Sequence, residues 1–367
     1  MTHIFSNRTK MIIEKNAVMN NKNLLCLGKK AIIITSKSAA AVSGALVDIT
    51  TALKDSDIPY SIYSDIMENP TYESVREASA KAIDEDCDFV IGIGGGSPLD
   101  AAKAVAVLIK NPDITEDEFY KCNFSSPAPI ALVGTTAGTG SEVTPYSIIT
   151  NSKGIKLGIG SESILPVVSF GDITYLTTMP KSVLRSTLID ALSHAIESYF
   201  SKSADDFSKT FSLRAIKLLI PEMETISAYG DEGLDDKDYE ALYLASIYAG
   251  YAIAKTGTAF PHLLSYYLSE NHGIPHGAAC GIFLPAFILH NERWAPTESA
   301  LLFDEVLREQ KEVINLIEDI LPDYDLKLKE EEIEAIKNRV ANNNKLSRMY
   351  GEVSADYLAE IIRAILG

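Results

Sequence analysis

Short apolar runs alternate with amphipathic stretches along the first half of the chain. KAIIITS (30–36) is β-branched and apolar and predicts a strand, and SGALVDITTALKDS (43–56) carries its apolar residues at helical spacing. The alternation repeats with PYSIYSDI (59–66) as a strand and TYESVREASAKAIDED (71–86) as an amphipathic helix. CDFVIGIGGGS (87–97) then reads as a buried strand running into glycines, with PLDAAKAVAVLIK (98–110) as the next helix. APIALVGTTAGTGSEVTPYSIIT (128–150) adds a strand, a glycine-rich turn and a further strand. Strands and helices of these lengths in strict alternation predict βαβ units and a parallel, doubly wound, Rossmann-like sheet.

From about Thr177 the pattern changes period. PKSVLRSTLIDALSHAIESYFS, DDFSKTFSLRAIKLLIPEMETISAYG, DKDYEALYLASIYAGYAIAKTG and PHGAACGIFLPAFILHNERWA are long helical patterns with few strand signals. The reading is an α/β domain over residues 1–176 and an all-α domain over 177–367. Within the second, LKEEEIEAIKNRV reads as a helix with a solvated acidic face.

Composition narrows the function. A chain of 367 residues has room for two cores. Its net charge of −17 argues against a nucleic-acid binder, which needs a basic footprint, but leaves space for a local anion pocket. The opening stretch has no apolar segment of secretory type, and no run approaches the ~20 apolar residues of a membrane helix. A cytoplasmic protein without a membrane partner is expected. Cys26, Cys87, Cys122 and Cys280 are scattered and form no C-x-x-C pair, so they read as incidental thiols in a reducing compartment.

Two glycine loops carry the first chemical signal. Gly94, Gly95 and Gly96 permit close backbone approach to a ligand. Ser97 reads as an N-cap, Pro98 as the first helical residue and Asp100 as the partner in a capping pattern. A helix start there would present its amide groups and dipole to a phosphate. The kinase-type G-x-x-x-x-G-K-[ST] loop is absent, and G-x-G-x-x-G is only approximated by Gly92, Gly94 and Ser97. GTTAGTGSEVT is a second such loop, with Thr136, Gly138 and Thr139 at its centre. Together the loops suit a dinucleotide pyrophosphate and its ribose.

The second signal is a set of carboxylate and imidazole groups. IDALSHAIE places Asp190 and His194 on one helix face. Five of the six histidines fall in the helical half, and His194, His262, His272 and His276 among them lie beside long apolar stretches. A transition metal needs three or four nitrogen or oxygen ligands converging from different segments. Asp190, His194 and His262 with either His272 or His276 would supply them, and composition does not choose between the last two.

GGGSPLDAAKAVA, TTAGTGSEVT, DALSHAIESY and HGIPHGAACGIFLP occur in this order, and together they resemble the iron-containing (group III) alcohol dehydrogenase family over essentially the whole chain. The resemblance implies a nucleotide-binding α/β domain, a helical domain and a catalytic metal, iron(II) or zinc, between them, an architecture shared with dehydroquinate synthase. Carried over, the metal ligands fall on Asp190, His194, His262 and His276, while His272 matches no ligand position. Gly95, Gly96, Ser97 and Asp100 match the pyrophosphate site, and Thr136, Gly138 and Thr139 the second cofactor loop. Asn69 of ENPT and Lys156 of GIKLGIG match further cofactor contacts. The implied reaction is hydride transfer between a nicotinamide cofactor and an alcohol or aldehyde, by a homodimer or larger homo-oligomer.

Two positions depart from the family pattern. Many members carry a histidine four residues after the third ligand, where it helps move a proton; here Tyr266 stands there. A phenol is a weak base near neutrality, which makes His272 the alternative relay. NAD-using members often end the first nucleotide-domain strand in aspartate, and this chain has Ser36 followed by Lys37. Serine leaves room for a 2′-phosphate and lysine adds a cation, so NADP(H) is expected over NAD(H). No arginine cluster accompanies TPYSIIT or KTGTAF, which favours a neutral short-chain alcohol or aldehyde. The rivals are a glycerol or polyol dehydrogenase, a dehydroquinate synthase-like lyase and a non-catalytic nucleotide binder.

Overall fold

The computed structural model describes residues 5–367 and divides into two compact units, one of Ser6–Pro180 and one of Lys181–Gly367 joined by Phe5.

In the first unit, β1 (Lys10–Ile13), β2 (Ala31–Thr35), β3 (Tyr60–Tyr63), β4 (Phe89–Gly94), β5 (Ile130–Gly134) and β8 (Val168–Gly171) form one sheet. Its order is β1-β8-β5-β4-β2-β3 and every pairing is parallel. β6 (Tyr146–Thr150) and β7 (Lys156–Gly160) form a separate antiparallel hairpin. Sequence patterning locates β2 to β6. It misses β1 (KMII), β7 (KLGIG) and β8 (VSFG), short segments with no continuous β-branched apolar run to mark them.

Both faces of the sheet are covered, as a parallel sheet requires. Ile32, Ile34, Val90 and Leu132 pack on one side, and Ile33, Phe89, Ile91 and Val133 on the other. Gly92 has a packing role: a Cβ there would lie 2.6 Å from the Ala102 Cβ and 2.8 Å from Leu132 Cδ2, so its absence lets the helix Gly96–Lys110 sit close on the sheet. The helix start differs from the capping pattern expected. Gly95 is the N-cap, Ser97 and Pro98 lie inside the first turn, and no side chain caps the end. The Asp100 side chain is directed elsewhere.

The second unit is helical among its described residues, apart from an isolated bridge between Ser201 and Met349. The helices that bear on the site are Lys181–Tyr199, Asp206–Tyr229, Asp236–Thr256, Phe260–Asn271, His276–Trp294 and Glu330–Val340. Asp205 and Asp235 open the second and third of these with capping boxes, and Gly230 and Gly257 close them. In Glu330–Val340 only Ile333, Ile336 and Val340 are buried, leaving the acidic face outward. Among the described residues, no helix is long and apolar enough to cross a membrane.

Candidate metal centre and cofactor loops

The helix Lys181–Tyr199 is buried along nearly its whole length from Leu188 onward, and that burial takes Asp190 and His194 into the interior. Asp190 is 3% exposed, His194 6% and His262 2%. Around Asp190 Oδ1 lie His262 Nε2 at 3.3 Å, His194 Nε2 at 3.9 Å and His276 Nε2 at 3.9 Å. The rings are packed together as well. His194 stacks on His262 with centroids 4.4 Å apart, and His276 meets His262 edge-on at 5.2 Å. The histidines come from three helices, so their convergence is a tertiary result.

Glycine makes the approach possible. A Cβ on Gly277 would lie 1.8 Å from the Ser186 carbonyl oxygen, and one on Gly281 2.6 Å from Ile189 Cγ2. The helix His276–Trp294 therefore crosses Lys181–Tyr199 at backbone contact, which carries His276 to Asp190.

Asp190 Oδ1 and His262 Nε2 are buried and neither forms a hydrogen bond. A buried carboxylate oxygen and imidazole nitrogen facing one another without a hydrogen bond fit a site that receives a cation. Burial alone would raise the Asp190 carboxyl, but the charges of His194, His276 and His262 outweigh it and hold the group well below the usual carboxylate range. Burial likewise disfavours protonated His262, yet Cys280, Glu197 and Asp190 pull its pKa well upward. Both shifts favour the charged forms, a carboxylate at Asp190 and a protonated imidazole at His262.

Glu197 was not anticipated. It is 1% exposed, and its carboxylate accepts from the Ala259 amide at 2.5 Å and the Ser193 hydroxyl at 2.5 Å. Its Oε1 also lies 2.5 Å from His262 Nδ1. With Nδ1 held by a carboxylate, Nε2 is the nitrogen turned toward Asp190. The available sequence signal was its position seven residues after Asp190 and three after His194, on the same helix face. Glu197→Gln is expected to lower divalent-metal affinity by roughly 10–100-fold with the helical content unchanged. Metal titration followed by circular dichroism checks this, and unaltered affinity would remove Glu197 from the site.

The two relay candidates differ in their surroundings. The Tyr266 ring stacks against His276 with centroids 5.6 Å apart, and Lys345 Nζ and the Arg339 guanidinium lie 5.8 and 6.0 Å from its centre. His272 caps the end of Phe260–Asn271, and its Nε2 meets Glu332 Oε1 at 2.8 Å, apart from the Asp190 cluster. Cys280, read from sequence as an incidental thiol, is fully buried with its Sγ 4.0 Å from His276 Nε2.

In the first unit the glycine loops follow β4 and β5, which pair at Gly94 and Gly134 along the carboxyl edge of the sheet. They pack directly on each other. A Cβ on Gly96 would lie 2.7 Å from Thr139 Cγ2, and one on Gly95 3.0 Å from Thr136 Oγ1. Gly138 lies in the same loop. The Thr135 amide donates to the Gly94 carbonyl at 2.9 Å. Asn69 adopts a left-handed conformation (φ 58°), which asparagine tolerates, and its amide points to Ser97 Oγ at 3.4 Å. Lys156 is buried and pairs across the hairpin with Thr150, which bridges to Thr71. Asn69, Ser97 and the hairpin are thereby brought to one region.

Asp100 is occupied within the protein. Its carboxylate accepts from Ser141 Oγ at 2.7 Å and the Ile148 amide at 2.8 Å, tying the second loop and hairpin to the helix. Lys103 supports the same loop from beneath, donating to Ser141 Oγ, the Thr144 carbonyl and the Tyr146 carbonyl at 2.8–2.9 Å. Burial pushes this lysine down to about 8. A lysine within the apolar run AAKAVAVL was a visible signal. At the end of β2, Lys37 extends into solvent with Nζ 3.4 Å from Asp65 Oδ1.

A parallel sheet with glycine loops at its carboxyl edge, together with a helical unit that gathers aspartate and histidines, defines a nucleotide-dependent metalloenzyme class. Residues 8–173 match the family described as iron-containing alcohol dehydrogenase, and residues 185–366 its C-terminal family. The chain belongs to the iron-containing alcohol dehydrogenase family. It is 31% identical to the 1,3-propanediol dehydrogenase of Citrobacter freundii, over 75% of this chain and 71% of that one. Alcohol dehydrogenase 4 of Saccharomyces cerevisiae is also 31% identical, over 70% of this chain and 67% of that protein. The iron-containing alcohol dehydrogenase of Thermotoga maritima superposes with a TM-score of 0.90 at 31% identity, covering 99% of both chains. The sulfoacetaldehyde reductase of Bifidobacterium kashiwanohense, solved with NAD+, superposes at 0.88 with 26% identity, over 100% of this chain and 99% of that one.

Proposed function

We propose that the protein is a metal-dependent alcohol dehydrogenase and aldehyde reductase that exchanges a hydride between NADP(H) and a short-chain alcohol or aldehyde. The observation that carries this reading is the pair of orphaned buried atoms, Asp190 Oδ1 and His262 Nε2, within a cluster of ligand-type side chains. Asp190, His194, His262 and His276 would hold a divalent ion, iron(II) or zinc. When bound, such an ion supplies Lewis-acid polarisation of the substrate oxygen. The nicotinamide cofactor supplies or accepts the hydride.

The chain's own residues bind and orient. Glu197 fixes the His262 ring so that Nε2 is presented toward Asp190. Gly95, Gly96 and Ser97 offer an uncapped helix start to the pyrophosphate, with Thr136, Gly138 and Thr139 beside it. Asp100 and Lys103 act behind these loops by holding Ser141 and the hairpin, and Asn69 and Lys156 complete the cofactor contacts. Tyr266 borders a proposed ligand, whereas His272 is held by Glu332, so Tyr266 is the better placed proton-relay candidate. The setting implied is a cytoplasmic homo-oligomer.

The expectation of NADP(H) rests mainly on Ser36, because Lys37 shares its charge with Asp65. The substrate has a second reading. Lys345 and Arg339 beside the Tyr266 ring favour an aldehyde bearing an anionic group, although Arg339 is already paired with Glu270. The likeness to a 1,3-propanediol dehydrogenase favours a small diol as a third substrate to try.

The test is aldehyde reduction after anaerobic reconstitution with iron(II), following NADPH against NADH loss and comparing propionaldehyde, 3-hydroxypropionaldehyde and sulfoacetaldehyde. Metal-dependent NADPH oxidation is the expected result. Ser36→Asp is expected to move the NADPH-to-NADH ratio toward NADH by about tenfold, through repulsion of the 2′-phosphate. An unchanged ratio would sink the Ser36 reading, and no turnover with either cofactor on the metal-loaded protein would sink the dehydrogenase reading.

A further inference from the structure

The tight ligand cluster contains a residue that the sequence motifs do not mark as a ligand. Asp190, His262, His276 and Cys280 each present one ligand atom, and these four atoms all lie within 4.8 Å of one another. Four donors around one zinc-like ion, at bond lengths of about 2.0–2.3 Å, stand roughly 3.3–3.8 Å apart. The cluster is therefore slightly wider than a filled site. Cys280 follows His276 by four residues in the helix His276–Trp294, so both side chains project to the same face, and Sγ stands 4.0 Å from His276 Nε2. It is fully buried. The unpartnered atoms of Asp190 and His262 give independent evidence that this cluster receives a cation.

We propose that Cys280 is a metal ligand: its Sγ joins the coordination of the divalent ion alongside the aspartate and histidines and biases the site toward zinc over iron(II). On binding, the sulfur–metal bond forms and the thiol proton passes to solvent. No electron is transferred. The preference follows from ligand softness, since thiolate favours zinc where carboxylate and imidazole alone accommodate iron as readily. The inference rests on the metal-site reading above and adds the sulfur to it.

The experiment is anaerobic loading of the full-length protein with cobalt(II), recorded by absorption spectroscopy, for wild type, Cys280→Ser, Cys280→Ala and His262→Ala. The wild type is expected to show cobalt d–d bands in the visible and a thiolate-to-cobalt charge-transfer band in the near ultraviolet. Both Cys280 variants should keep the d–d bands and lose the charge-transfer band, and His262→Ala should weaken both sets. In metal competition, either Cys280 variant should lower the zinc-over-iron preference by about tenfold. X-ray absorption on the zinc form should show a sulfur neighbour at about 2.3 Å. Visible bands without a charge-transfer band in the wild type would overturn the cysteine assignment and leave the metal site standing. A charge-transfer band that survives in both Cys280 variants would overturn it too, by tracing the sulfur elsewhere. Absence of any bound cobalt in a folded wild type would overturn the metal-site reading and this inference together.

Discussion

His276→Ala is expected to abolish metal retention and aldehyde reduction together. His276 is the ligand candidate on the open side of the cluster, with its side chain 31% exposed against 7% or less for Asp190, His194 and His262. Truncation there should leave the packed core intact, so the fold survives. Losing an outer-shell partner already costs roughly 10–100-fold in metal affinity, and losing a ligand outright should exceed that. Elemental analysis after dialysis, paired with the reductase assay, reads both effects on one sample. A variant that keeps its metal and its rate would exclude His276 from the ligand set, whereas loss of rate with full metal content would assign it another role.

Gly277→Ala should have the largest effect on stability and should weaken the metal site as well, although alanine is the better helix former. The added Cβ would sit 1.8 Å from the Ser186 carbonyl, a backbone atom that cannot rotate away, and 2.8 Å from the Asp190 Cβ. The helices His276–Trp294 and Lys181–Tyr199 must then separate. That repacks the interface formed by Ile189, Gly281 and Leu321 and draws His276 off Asp190. Overpacking of this kind costs ~1–3 kcal/mol when side chains can yield, and a clash with backbone should reach the upper end or beyond. Thermal denaturation should show a lowered midpoint, and metal titration a weakened site even in the fraction that remains folded. A variant of wild-type stability would mean that the helices have slack here and that the glycine is not what brings His276 in.

Much of this architecture is legible in the periodicity of the chain. The central strands are long enough for β-branched runs to stand out, and the long helices of the second half carry their caps, Asp205, Asp235, Gly230 and Gly257, in the sequence itself. The edge strand β1 is not legible, because KMII is stabilised by its pairing to β8 and not by any local pattern. The cap of the helix after β4 shows the limit in the other direction. Ser97, Pro98 and Asp100 fit a capping pattern, yet the chain begins its helix at Gly96, and Asp100 answers instead to Ser141 and Ile148, 41 and 48 residues away. Local hydrogen-bonding rules lost there to a long-range partner.

The candidate site divides in the same way. The family resemblance implies Asp190, His194, His262 and His276 as ligands, and spacing along one helix joins Asp190 to His194. Glu197, Lys103 and Cys280 were written in the sequence as residue types without a place. A buried glutamate, a lysine in an apolar run and a lone thiol become meaningful only when other helices bring them partners. What the sequence by itself determined was the class of fold, the family and the chemistry on offer, since these depend on periodicity and on residue identity. Which nitrogen faces which oxygen, which thiol joins the cluster and how closely two helices meet were decided by the tertiary structure. Those outcomes turn on ångström-scale packing at Gly277 and Gly281, a property of surfaces in contact that no local run of residues encodes.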